Sequence, residues 1–508
     1  MRPPRGASIA DPSENHHVHH QRAGLLTVSA LVPRRASGAA VKRLRQALAV
    51  TLAASLTLPA SAFSHGLVGK QDLPIPRWLF GWAASVVLVI SFVALAVLWP
   101  TPRWQRTPER RVAGLQAALD VICGLIGVAL FALVIYAGLA GVDNPTRNLL
   151  PTVVFVLFWV GIPFVSVLLG DVFRAFNPWL AIGRLTGWVA RRVAREPPPR
   201  PLPYPPWLGR WPAAAGIVAF VWIELVYSGR EHPRSLAILA LAYAVVQFVG
   251  MSLYGTGPWS RNADAFGVYF GLFARLAPLR WTRRALFVRS PISDAASLAV
   301  LPGTVTLLCV MIGTTSFDGF TQGPVWGSIV GGLQQAFVDA GLSIQHALEA
   351  TFTLGMIAAV AVIVGLYRLG IAGVRSIDGE RSSSALAGLF VHSLIPIALA
   401  YVVAHYFGLL AYQGQALGYL ASDPLGTGSD LFGTAGATID YGVLSATTVW
   451  YVQVAVLVAG HAAGLALAHD RAVAIYDDKR VATQSQYWML AVMITFTTLA
   501  LWLLSAGS

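Results

Sequence analysis

Ten stretches of the chain are apolar for long enough to cross the roughly 30 Å hydrocarbon core of a bilayer as helices, and between them the sequence turns polar, proline-rich or arginine-rich. They run over residues 79–98, 114–137, 149–170, 211–227, 235–254, 296–313, 348–369, 386–410, 446–469 and 487–505. The pattern predicts an all-α fold, a polytopic integral membrane helical bundle of about ten transmembrane helices. Each such helix satisfies its own backbone polar groups, because the bilayer offers no water to bond them. Two connecting segments have a pattern of their own. Residues 171–195 alternate apolar and basic faces and run into "PPPRPLPYPPW", a stiff polyproline-type spacer. Residues 262–278 carry Phe266, Tyr269, Phe270 and Phe273 at helical spacing. Both are expected to lie as helices in the membrane interface, held by aromatic and arginine anchors, or to serve as a gate or partner platform.

Ahead of the first span, residues 1–41 have no period that could build a core and are expected to be disordered, or an extension upstream of a true start near Val41. Next come Lys42, Arg43 and Arg45, an apolar run, and Ala60-Ser61-Ala62, the basic region, apolar region and cleavage site of a signal peptide over 42–62. Cleavage there leaves residues 63–508 as a single transmembrane domain that begins outside. Each span then flips the side, and inner loops should be basic. The loops so placed inside carry 23 Lys and Arg against five in those placed outside. A multi-pass protein of the cell membrane with both mature ends outside is the expectation.

Composition sharpens this reading. Of 508 residues, 56% are hydrophobic and 12% charged, about half the charged share of a soluble globular protein. The formal net charge of +13 would suggest nucleic acid as partner in a soluble chain; here it sorts by topology, so the expected partner is the lipid bilayer, not nucleic acid. Cys123 and Cys309 lie in separate apolar runs and build neither a disulfide framework nor a CxxC site. Walker A, GxGxxG, HExxH and GxSxG motifs are absent from the sequence and HxH from residues 63–508, which removes the usual support for ATPase, nicotinamide, zincin and serine hydrolase chemistry.

Ionisable groups within spans are costly, and each is a functional candidate by default. Near the outer surface fall Glu224, His346, Glu349 and His405; nearer the cytoplasm fall Asp120, Asp171, His392, His469 and Asp470, with His461 between. His346 and Glu349 stand three apart and can share one face of a helix. With Glu224 they form a candidate site for a divalent metal ion, to which His405 or Asp318 could add as ligand or general base. The alternative is that His346 and Glu349 solvate a helix end, where the dipole favours the carboxylate. His392 and His405 are thirteen apart, about 220° round a helix and ~20 Å along it, too far to share a ligand. Tyr401, one turn before His405, is a candidate hydrogen-bond partner for it. His461 and His469 are separated by about 80° and ~12 Å, which suits stations of a proton path; Asp120 and His392 are its other candidates. Pro163 and Pro396 occupy similar places in the third and eighth spans, a hint of a five-plus-five inverted repeat of the kind found in transporters with broken helices.

Four stretches carry a resemblance: "SHGLVGKQDLPIPRWLFGWAA" at 64–84, "LLGDVFRAFNPWLAIGR" at 168–184, "DAFGVYFGLFARLAP" at 264–278 and "AHYFGLLAYQGQ" at 404–415. As a set they resemble bacterial, largely actinobacterial, multi-pass membrane proteins labelled fenitrothion hydrolase. The resemblance implies membrane-bound hydrolysis of an organophosphorus triester, an apolar small-molecule substrate that partitions into lipid, with release of a substituted phenol and a dialkyl thiophosphate. In such an enzyme His346, Glu349 and Glu224 would hold the metal, and His405 and Asp318 would serve catalysis. Two other classes are expected as rivals: a permease for a small solute or metal ion, driven by protons, and a structural subunit of a larger membrane complex.

Overall fold

The computed structural model describes residues 77–105, 108–193, 200–282 and 284–506; the expected leader and signal peptide lie outside the described residues. Eight helices are long and apolar enough to cross a membrane. In chain order the elements begin with α1 (Arg77–Leu98), strand β1 (Glu109–Gly114) and α2 (Ala117–Ala140). The third span is α3 (Leu149–Leu169), followed by the short α4 (Val172–Phe176), α5 (Pro178–Val193), α6 (Trp211–Leu225) and α7 (Pro233–Tyr254). Then come α8 (Thr256–Asn262), α9 (Ala265–Ala274), β2 (Leu279–Trp281), β3 (Ala285–Arg289) and α10 (Thr304–Thr321). The chain continues through α11 (Pro324–Asp339), the 35-residue α12 (Ile344–Asp378), α13 (Ser383–Phe390) and α14 (Leu394–Gln413). It closes with α15 (Leu417–Leu420), α16 (Ala446–Ile475), α17 (Lys479–Gln484) and α18 (Tyr487–Ala506).

All ten predicted spans are helical. Eight satisfy length and hydropathy together; the other two are α6, with 15 residues, and α18, with 20. The sixth span is displaced from the expected 296–313 to Thr304–Thr321. Pro302 cannot donate within a helix and Gly303 sits at φ +82°, so the helix starts after them rather than before. The shift moves Asp318 from an expected loop into the last turn of a buried helix. The segment between the expected sixth and seventh spans is therefore mostly helix, the end of α10 and all of α11.

Both proline-bearing spans are broken, in different ways. Thr152–Gly161 is wound as a π-helix just before Pro163, which has no N–H for the carbonyl one turn back. A 3-10 turn at Val391–Ser393 separates α13 from α14, with Pro396 in the first turn after it.

The two segments expected in the interface part company. Helix α5 keeps Leu185, Trp188, Val189 and Val193 exposed beside Arg191 and Arg192, as an interfacial helix would. Helix α9 does not lie on the surface: every residue in it except Gly267 and Gly271 is buried. A helix with no polar face has nothing to present to headgroups, and it is packed against α3, α4, α6 and α14. Its N-cap, Asp264, is fully buried and accepts from Asn177 Nδ2 (2.8 Å), Trp179 Nε1 (3.1 Å), Tyr243 Oη (2.7 Å) and Gly267 N (3.2 Å). Four donors from three places in the chain thus hold one carboxylate and fix where α9 enters the bundle. Beyond it a small antiparallel sheet of order β1-β3-β2 ties the loop after α1 to the loop before α10. Arg289 of β3 closes the C-terminal end of α9 by donating to Ala274 O and Ala277 O.

Candidate functional site

The end of the bundle at which α6 and α10 finish and α12 begins is poor in Lys and Arg, and the candidate site lies there. Three contacts tie α6 and the turn after it to α12: Trp222 Nε1 donates to Thr353 Oγ1 at 2.9 Å, Gln345 Nε2 to Ser228 Oγ at 2.6 Å, and Ser228 N to Glu349 Oε1 at 3.2 Å. Below this rim Asp318, from the last turn of α10, meets α14. His405 Nε2 stands 2.8 Å from Asp318 Oδ2, and the Tyr406 hydroxyl donates to the same oxygen at 2.9 Å. A carboxylate oxygen between a ring N–H and a phenol O–H is an acceptor to both, so His405 bears a hydrogen on Nε2 in this arrangement. Asp318 and Tyr406 are 2% exposed and His405 is 8%.

Glu224, in the last turn of α6 and 8% exposed, lies within electrostatic range of Asp318, Tyr406 and Tyr269. Its Oε2 is buried with no hydrogen-bond partner among the described residues. The wall behind these groups is aromatic. Trp159, from the π-helical turn of α3, stacks on Tyr269 of α9 with centroids 4.7 Å apart and planes 17° apart, and Phe220 of α6 packs on Trp159 at 4.7 Å. The Trp159 indole lies beside the Tyr406 hydroxyl. The site is thus four polar groups, Glu224, Asp318, His405 and Tyr406, backed by three rings, in the interior of a membrane bundle.

The metal site drawn from the sequence does not form. His346 is exposed and its Nδ1 is 2.9 Å from Ser343 Oγ, the residue that caps α12. Glu349 receives the Ser228 N–H at the rim and does not join Glu224. Among the described residues no group of three His, Cys, Asp or Glu side chains converges to hold a metal ion. The HxxE spacing is a helix-end feature, where a carboxylate suits the dipole. His405 and Asp318 do meet, although Tyr401 is not the partner of His405: its hydroxyl goes to Phe496 O at 3.4 Å.

The candidate proton path also divides. Asp120 is ion-paired with Arg184 of α5 at 2.9 Å, a half-exposed anchor between α2 and the interfacial helix. His469 is held between Trp99 O (3.0 Å) and Gln486 Oε1 (3.3 Å). Its neighbour Asp470 accepts from Trp99 Nε1, Arg103 N, Trp104 N and Gln105 Nε2. Together His469 and Asp470 staple the first loop to the end of α16. Their bonds are all structural. His461 and His392, by contrast, are buried with Nε2 atoms that have no partner among the described residues.

Sequence reasoning missed Tyr406, Trp159 and Tyr269. The only signal for Tyr406 was its place next to His405; the two rings came into the site through the π-helix and the burial of α9, neither of which has a sequence signature. No protein-family model, no curated protein and no solved structure matches this chain.

Proposed function

We propose that the chain is a proton-coupled permease for a small solute, with the group Glu224, Asp318, His405 and Tyr406 as its proton-exchanging site. The observation that carries the reading is the pair of buried carboxylates at the ends of α6 and α10, one of them with an oxygen that no donor among the described residues meets. In a dry interior an unmet carboxylate oxygen costs several kcal/mol unless a proton or small cation shares it. Asp318, His405 and Tyr406 form a hydrogen-bonded run that delivers or withdraws such a proton without moving a helix. By the positive-inside rule the arginine-rich loops face the cytoplasm, which opens this site to the outside.

The test needs no knowledge of the solute. Protein in liposomes, given an inside-negative potential by potassium and valinomycin, should acidify the lumen faster than empty liposomes do. Glu224→Gln should remove that difference, and equal rates for the variant and the native chain would end the reading.

A second reading, the hydrolase, is supported by one observation: an imidazole held by a carboxylate is the usual arrangement of a general base for water. It agrees with the resemblance of the four stretches to the fenitrothion hydrolase group. In this reading His405 activates the water and Asp318 orients the ring, since the residues expected to hold a metal do not converge. Purified protein should then release the nitrophenol of fenitrothion, and His405→Gln should abolish the release.

A further inference from the structure

Two imidazoles lie deeper in the bundle than the Asp318 pair and take no part in it. His461 of α16 has 0% exposure, and its Nδ1 is 2.7 Å from Leu457 O. A carbonyl only accepts, so Nδ1 carries the hydrogen and Nε2 the lone pair. That Nε2 is buried and unmet among the described residues. His392, 2% exposed, lies in the 3-10 turn between α13 and α14, and its Nε2 is unmet in the same way.

The two belong to one seam. A Cβ on Gly460 would stand 2.3 Å from Ala400 Cβ and 2.8 Å from Pro396 O, and one on Gly464 would stand 2.8 Å from Ser393 O. Helix α16 therefore touches α14 backbone to backbone where the eighth span is broken, and only glycine permits the approach. His461 sits between these two glycines, and His392 is the neighbour of Ser393. Gly464 lies about 4.5 Å along the axis from His461, so both rings border the same stretch of contact.

The groups that face the seam are few. From α14 the Tyr401 ring is 6.1 Å from His461, with its hydroxyl on Phe496 O of α18 and in range of Ser316 of α10. From α16 Arg471 and Asp470 act on His392 from the far end. Asp470 is committed to the first loop, and Arg471 donates to Ala296 O.

Resting on the permease reading above, we propose that this seam is a second proton site, where the unmet Nε2 atoms of His461 and His392 take up a proton in transit between the carboxylate site and the arginine-rich end. The proton arrives at Nε2 of a neutral ring, makes an imidazolium with Nδ1–H still on Leu457 O, and leaves again from Nε2 through water. On uptake an O–H bond of the donating water or hydronium breaks as N–H forms, on release N–H breaks as an O–H of the accepting water forms, and no oxidation state changes.

The liposome assay of proton entry tests it with His461→Gln, His392→Gln and His461→Ala, each checked for a single size-exclusion peak and a native thermal midpoint. Each glutamine variant should lower the flux about a hundredfold, the scale of a lost proton-transfer group. Imidazole added to His461→Ala should restore flux, which a purely structural histidine would not allow. Native flux in both glutamine variants, with Glu224→Gln still inactive, overturns the seam and leaves the outer site standing. Loss of flux with lowered midpoints and no imidazole rescue also overturns it, in favour of packing. If the native protein moves protons no faster than empty liposomes, both this site and the permease reading fail together.

Discussion

At the scale of single residues, the bundle separates ionisable groups that are spent on structure from those that are not. Asp120, His346, Glu349, His469 and Asp470 each end in a hydrogen bond or ion pair that explains their presence. Asp318 and His405 were both visible as candidates in the sequence, but 87 positions separate them, and no local pattern announces that one faces the other. The misplaced helix start hid it: with the span ending at 313, Asp318 reads as a loop residue. Asp318→Asn replaces a charged acceptor of two buried donors, so a loss of about 1.5–3 kcal/mol is expected, read as a lower thermal midpoint in detergent. His346→Ala and Glu349→Ala, at the rim, should each stay within about 0.5 kcal/mol of native; a large loss there would contradict the assignment of both to the helix end. On the loop after α15, the Ser422 hydroxyl and the Ala435 N–H hold Asp430 below the ordinary carboxylate value of 3.8. A depressed value in the folded state means that its contribution is complete above 3.8 and fades as pH falls through the lower folded value. Limited proteolysis within residues 421–445 should therefore be slow at neutral pH and accelerate below that point.

At the scale of elements, the spans were legible because an apolar run and a basic loop are local properties. Helix α9 was not. Ten apolar residues between Asp264 and Arg275 suit an interfacial helix and a buried one equally, and the difference is set by three donors that reach Asp264 from elsewhere in the chain. The consequence is functional, because α9 carries the Tyr269 ring on which Trp159 stacks beside Glu224. Asp264→Ala removes a helix cap of about 1 kcal/mol and also strands three buried side-chain donors at about 1–3 kcal/mol each. The variant is expected to lose its native midpoint altogether, whereas Asp171→Ala, which removes the cap of α4 alone, should cost about 1 kcal/mol. Equal costs for the two would show that the hub around Asp264 does not hold α9.

At the scale of the molecule, Lys and Arg are concentrated at one end of the bundle, and Glu224, Asp318, His405 and Tyr406 lie toward the other. Phe432, 71% exposed on the loop before α16, and Trp188, 52% exposed on α5, stand at opposite ends. In intact cells a membrane-impermeant maleimide should label Phe432→Cys from outside and reach Trp188→Cys only after permeabilisation; the reverse would invert the orientation and turn the carboxylate site to the cytoplasm. Proton exchange at Glu224 can be read from infrared difference spectra of the protein in liposomes, recorded across a pH step. A protonated-carboxyl band should persist in Glu349→Gln and disappear in Glu224→Gln; an unchanged band in Glu224→Gln would show that Glu224 does not exchange the proton.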